Sequence, residues 1–337
     1  MKIDKLGSVF VLAVGALLAQ ACGGEGSPSP GAEQGPLRDG DGNDCNDGGT
    51  PTDPTDPGDA GGGGGDGGSP GTGDPGTPAC TVRVAKASDV NSAKPGDVVC
   101  FESSMKKARL KITKGGTADK PITYSGEGAT VDGIDVETSY VVVQNFKMTG
   151  PQAPGIWAEG NNITLQNNTI TKPVDGDGDG MRFFGNNIKI LHNTVSGTSN
   201  QYGHADCMQT YASDTPASQN VLIEGNRCEK IDNMCLMAEG PNDGEGDGQG
   251  NTDHFTIRNN YCETLKAGQA LMIEDIQYCT ITGNEFVGSI DKAIGLAINS
   301  TNATVSGNKV DSRIGYEVGI DSSSKKGYKG PEPGGEP

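Results

Sequence analysis

Beyond residue 140 the chain alternates apolar and polar residues at period two in short runs, each ended by a polar turn and restarted by another apolar residue. That period marks a β-strand with one buried face. Seven runs superimpose without gaps: VVVQNFKM (141–148), ITLQNNTI (163–170), IKILHNTV (188–195), VLIEGNRC (221–228), FTIRNNYC (255–262), CTITGNEF (279–286) and ATVSGNKV (303–310). Six share an asparagine column, Asn168, Asn193, Asn226, Asn260, Asn284 and Asn308, at spacings of 25, 33, 34, 24 and 24. A second strand family precedes each repeat: GIWAEG (155–160), GMRFFG (180–185), CMQTYA (207–212), CLMAEG (235–240), ALMIED (270–275) and GLAIN (295–299). It predicts one inward column of Ile156, Met181, Met208, Leu236, Leu271 and Leu296, and another of Ala158, Phe183, Thr210, Ala238, Ile273 and Ile298.

Two strands meeting at a bend plus a third, with no helical apolar stripe, predict an all-β fold: a single-stranded right-handed parallel β-helix, a solenoid with rungs of about two dozen residues. With rungs roughly 4.8 Å apart, like residues stack on like, and the asparagines form a hydrogen-bonded ladder.

The rest of the chain reads differently. Residues 1–21 place Lys2 and Lys5 before an apolar run from Leu6 to Ala19, the layout of a secretory signal. Leu18-Ala19-Gln20-Ala21-Cys22 resembles a bacterial lipobox, which implies lipidation of Cys22 and an exported protein held on a membrane, the outer membrane or cell surface. From Gly23 to Ala79 there are 20 Gly, 9 Pro and 11 acidic residues against one basic residue, Arg38. Such a stretch cannot bury enough surface to offset its ordering entropy, so 22–79 is expected to be a disordered tether, 80–323 the β-helix and 324–337 a disordered tail. The tether carries −10 of the formal −18. The folded body is therefore only mildly acidic, and nothing basic or suitably aromatic in it points to nucleic acid. It is expected to work as a monomer.

Of nine cysteines, Cys22 is assigned to lipid, and Cys80 with Cys100 brackets the start of the folded body as the expected disulfide. Cys45 lies in the tether. Cys207 and Cys235 share a column, as do Cys228 and Cys262, and these are read as small core residues, because stacked parallel strands suit disulfide geometry poorly.

Departures from the minimal rung cluster on neighbouring coils. The turn entering the second strand family lengthens at KPVDGDGDG (172–180) and SGTSNQYGHAD (196–206), and the turn leaving it at SDTPASQ (213–219) and PNDGEGDGQGNTD (241–253). Loops on both edges of one stretch of sheet wall a groove. Its outward floor reads Trp157 and Glu159, Arg182 and Phe184, Gln209 and Tyr211, Met237 and Glu239, Met272 and Glu274. Rings beside polar groups suit sugar, so Trp157, Phe184, Tyr211, Gln209, Glu239 and Glu274 are the expected binding residues. At the edge, Asp179 aligns with Asp206, and Asp177 with His204 and Asp232. Stacked carboxylates repel unless a cation joins them or one keeps its proton. A cation implicates Asp175, Asp177 and Asp179 as metal ligands. A retained proton suggests Asp179 and Asp206 as the acid and base of a glycoside hydrolase. His192, beside Asn193, is read as a structural turn residue.

The N-terminal piece, with AKPGDVVCF (93–101) and GTADKPITYSGEGATVDG (116–133), resembles the opening rungs of pectate-lyase-like proteins, including the alginate lyase and chondroitinase B group. The resemblance covers about 80–323. It implies a lyase acting on uronic-acid-containing polysaccharide, which favours the cation reading: calcium held by Asp175, Asp177 or Asp179, with Asp206, acidifies a uronate proton, and a basic residue such as Arg182, His204, Lys230 or Lys292 removes it. A noncatalytic surface protein binding glycan or protein in the same groove is the other reading.

Overall fold

The computed structural model describes residues 79–337. The leader, Cys22, Cys45 and the tether up to residue 78 lie outside the described residues. Every named strand pairing is parallel, and the strands fall into three sheets that each take one strand per coil, which makes the body a parallel β-helix. The first sheet has nine strands, running from Leu110–Ile112 through Ile156–Glu159, Met181–Phe184, Met208–Thr210, Leu236–Glu239 and Gln269–Glu274 to Tyr316–Ile320. The second, with eleven strands, includes Ile163–Gln166 and its equivalents, and the third, with eight, includes Thr169–Thr171 and its equivalents. One short 3-10 helix, Ala87–Ser92, lies beside the first coil.

Alternation works as expected inside the coil. Ile156, Met181, Met208, Leu236 and Leu271 are buried and in register, and so are Ala158 and Phe183, and Thr210, Ala238 and Ile273. The last predicted step is off by two residues: Leu271 pairs with Ile294 and Ile273 with Leu296, while Ile298 turns the corner at φ 50°. A slip of two preserves which side chains face inward, so alternation cannot detect it.

The asparagine ladder is continuous. Each Oδ1 from Asn193 to Asn308 accepts both the backbone N–H and the Nδ2 of the asparagine one coil earlier, at 2.9–3.1 Å. The residue before each asparagine takes the left-handed conformation that bends second sheet into third: Asn167, His192, Gly225, Asn259, Gly283 and Gly307 have φ of 52–65°. Glycine and asparagine tolerate that region best, which is why five of these six corners read N-N or G-N. His192 is one of these turn residues.

Cys80 and Cys100 are bonded as expected. The other core cysteines are not merely small residues: Cys207 bonds Cys228 and Cys235 bonds Cys262, each with Cα atoms 5.9 Å apart, and only Cys279 is free among the described residues. The bonds do not run up the stack. Each joins the start of a first-sheet strand to a third-sheet strand across the interior corner, where Cα separation suits a disulfide.

Residues 324–337 also differ from the expected disordered tail. Lys329 bridges Thr304, Tyr328 packs against the core with its hydroxyl donating to the Pro331 carbonyl, and Gly335 bridges Gly319. An open solenoid end exposes apolar interior and unpaired strand edge, and this segment covers both.

Candidate functional site

The outward face of the first sheet carries two columns. Register sets Asp135, Trp157, Arg182, Gln209, Met237, Met272 and Gly295 in one, and Glu137, Glu159 and Phe184, then Glu239 and Glu274, in the other. Three rings stack across successive rungs: Trp157 and Phe184 with centroids 4.7 Å apart, Phe184 and Tyr211 at 4.9 Å. Phe184, expected on the floor, is fully buried between its neighbours, so Trp157 and Tyr211 are the rings a ligand can reach. The loop carrying Pro216 overhangs this end, enclosing an opening of 360 Å³ with Glu137, Thr138, Glu159 and Asn161.

Asp179 and Asp206 do stack, but beneath the floor, both with no exposed surface. Asp179 Oδ1 accepts the Asp206 N–H at 2.8 Å, and Asp206 Oδ1 accepts the Met234 N–H and Asn233 Nδ2 at 2.8 and 2.9 Å. This is a second, shorter ladder that satisfies corner backbone as the asparagines do. Neither carboxyl reaches a ligand, which removes them as the acid and base of a hydrolase. Arg182 binds Asp179 through Nε at 2.7 Å and Asp177 through Nη2 at 2.5 Å, and lies over the Tyr211 ring. Burial raises the Asp179 carboxyl while Arg182 pulls it back. Burial and then Asp179 push the Asp206 carboxyl well above its ordinary value, and its Oδ2 has no partner, so of the two it is Asp206 whose neutral form is the more favoured.

Asp177 and Asp179 are therefore engaged by a guanidinium, and Asp175 is exposed without joining them, so these three do not form the expected metal set. The group that does converge lies further along the groove. Glu239, Asp243 and Glu274 bring carboxylate oxygens within 4.8 Å of one another. The loop is anchored there by Asp275, whose Oδ2 accepts the Asn242 N–H at 2.8 Å, and by the Ser213 hydroxyl donating to the Glu245 carbonyl at 2.9 Å. Burial, followed by Asp243, Glu274 and Glu245, pushes Glu239 up to about 7, and Glu274 is raised by burial and then Asp243. No basic side chain bonds this cluster among the described residues. Hard carboxylate oxygens without a counter-ion are the donor set that calcium takes, so the residues fit the ion. Sequence reasoning placed Glu239 and Glu274 on the floor but missed Asp243, whose only signal was its place in the lengthened loop 241–253.

His204 is exposed on the entering loop and makes no hydrogen bond among the described residues. Gln209 is nearly buried, its Nε2 on Met237 Sδ at 3.1 Å and its Oε1 without a partner. Lys230 sits at a corner with φ 53°, and Lys292 lines a separate opening with Arg313 and Tyr316, so neither joins the groove floor. Arg109 and Lys111 sit at the N-terminal end, paired with Asp135 at 2.6 Å and Glu137 at 2.7 Å.

A family model described as right handed beta helix region matches residues 132–310. No curated protein matches the chain. Among solved structures the chain is similar to an alginate lyase from Paenibacillus sp. str. FPU-7, at 17% identity over 72% of this chain and 99% of that one, with a TM-score of 0.47. It is also similar to a mannuronic acid specific polysaccharide family 6 lyase from human gut microbiota, at 13% identity over 71% and 66% of the two chains, with a TM-score of 0.48. A third is the mannuronan C-5 epimerase A-module of Azotobacter vinelandii, at 11% identity over 72% and 87%, with a TM-score of 0.29.

Proposed function

The chain belongs to the right-handed β-helix family, and from that premise we propose that it is an acidic-polysaccharide-active protein, most specifically a calcium-assisted lyase. One observation carries the reading: accessible rings, a guanidinium and a three-carboxylate cluster converge on one sheet face. Trp157 and Tyr211 offer apolar faces to pyranose rings, and Glu159 offers a hydroxyl partner, whereas Gln209, expected to bind, has its amide oxygen buried. The floor itself is acidic, with its one central cation already neutralised by Asp177 and Asp179. A polyanion therefore needs a bridging cation here, and Glu239, Asp243 and Glu274 are the residues that would hold it. When bound, calcium neutralises a uronate carboxylate and acidifies the neighbouring C–H. His204, the exposed imidazole of the entering loop, removes that proton. As the C4–O bond breaks and the C4=C5 double bond forms, Arg182 Nη1, free of protein hydrogen bonds among the described residues, offers a hydrogen bond to the departing glycosidic oxygen, which takes its proton from solvent water.

The test is incubation with pectate, alginate and glycosaminoglycans, with and without chelator, followed by detection of unsaturated ends. The expected result is release from a uronate polymer that stops with chelator and with His204→Ala. Binding without cleavage of any polymer selects the noncatalytic binder, which the saturation of Arg182 by two carboxylates favours.

We also propose that the protein works outside the cytoplasm, tethered through lipid on Cys22, as a monomer. The three disulfides of the described body support an oxidising compartment.

A further inference from the structure

The outward column that runs Gln209, Met237, Met272 ends in two glycines, Gly295 and Gly319. Glycine in the middle of a strand weakens it, and its presence marks a place where another backbone comes close. Here the approaching backbone is the chain's own C-terminal segment. A Cβ on Gly319 would lie 2.3 Å from the Glu336 carbonyl oxygen and 2.9 Å from Pro337 Cα. A Cβ on Gly295 would lie 3.5 Å from the Pro337 carbonyl carbon, after first meeting Gln269 Oε1 at 2.0 Å. The segment is fastened by the Gly334 N–H to the Val318 carbonyl at 2.9 Å, the Ile320 N–H to the Gly335 carbonyl at 3.0 Å and the Tyr316 hydroxyl to the Glu336 carbonyl at 2.8 Å. Residues 334–335 extend the sheet edge, whereas 336–337 turn over its outer face, along the line of the groove floor and immediately past Met272 and Glu274.

We infer that Glu336 and Pro337 form an end wall of the groove, so that a polysaccharide engages by its chain end rather than running across the whole face. This rests on the groove reading above and adds to it the mode of engagement. The open floor spans four rung steps, Trp157 to Met272, or roughly 19 Å at about 4.8 Å per step. Beyond it, backbone occupies the volume a further sugar would need, and the exposed Glu336 carboxylate repels a uronate. The wall is separable from the end cap, because Tyr328, Lys329, Gly334 and Gly335 make their bonds without residues 336–337.

The experiment measures binding to length-fractionated polygalacturonate and alginate in calcium, in a His204→Ala background that keeps polymers intact. Three proteins are compared: the full chain otherwise unchanged, a chain ending at Gly335, and a full chain carrying Gly319→Ala, whose methyl displaces Glu336 without shortening the chain. With the wall intact, protein bound per gram of polymer is expected to fall in inverse proportion to polymer length. Both wall variants are expected to bind independently of length. Length-independent binding with the wall intact overturns the inference and leaves the groove reading standing, as does an inverse dependence that persists in both variants. Failure of all three proteins to bind any fraction overturns the groove reading and the inference with it.

Discussion

Asp206 lies under the groove with one oxygen bonded and the other bare, and burial together with Asp179 favours its neutral form. A carboxyl raised in the folded state binds its proton more tightly there than in the unfolded chain. It thus contributes stability that is complete below about pH 4 and is lost as pH rises through the raised folded value. Asp206→Asn keeps an Oδ1 for Met234 and Asn233 and removes the titration. Melting temperature followed from acid to neutral pH is expected to fall more steeply in the parent than in the variant, and equal slopes would refute the assignment. The carboxylates of Glu239 and Glu274 carry a separate expectation. Calcium should raise the melting temperature of the parent, and Glu239→Gln with Glu274→Gln should abolish that rise. The alignment of Asp179 with Asp206 was legible from the repeat, but their burial was not, because burial depends on loops whose paths periodicity does not specify. For the same reason Phe184 read as a binding residue when Tyr211 and Trp157 cover it.

At the scale of the element, the asparagine ladder was legible because one residue recurs at one register position and its side chain spans one rung. Asn226 receives the backbone N–H and Nδ2 of Asn193 and donates to the Ile190 carbonyl and Asn260. Asn226→Ala leaves buried donors unmatched and is expected to cost about 1–3 kcal/mol per orphaned group, read as a lowered urea midpoint. The cysteines were misread because stacking partner and bonding partner differ: Cys207 stacks with Cys235 yet bonds Cys228. Removing that cross-link in a Cys207→Ala/Cys228→Ala double variant opens a loop of 21 residues and is expected to cost about 2–4 kcal/mol in the same unfolding measurement. The error at Leu296 and Ile298 has a third cause. KAIGLAIN is apolar at two alignments that share inside and outside, and only the pairing of Leu271 with Ile294 selects between them.

For the whole molecule, stacking turns a one-dimensional repeat into a long face with a charge gradient. Paired Arg109 and Lys111 sit at one end, and Glu239, Asp243 and Glu274 lie toward the other, with the rings between them. The solenoid, its register through most rungs and the position of the lengthened loops could all be read from the sequence. The identity of the carboxylates that converge could not, because Asp243 reaches the floor only through the fold of loop 241–253. On this reading the first sheet, and neither of the other two, receives the polysaccharide. A crystal structure of the chain with calcium and a short oligouronate would decide the matter. Sugar rings are expected against Trp157 and Tyr211 with a cation among Glu239, Asp243 and Glu274, whereas sugar lying on the second or third sheet, with that carboxylate cluster empty, would contradict that reading.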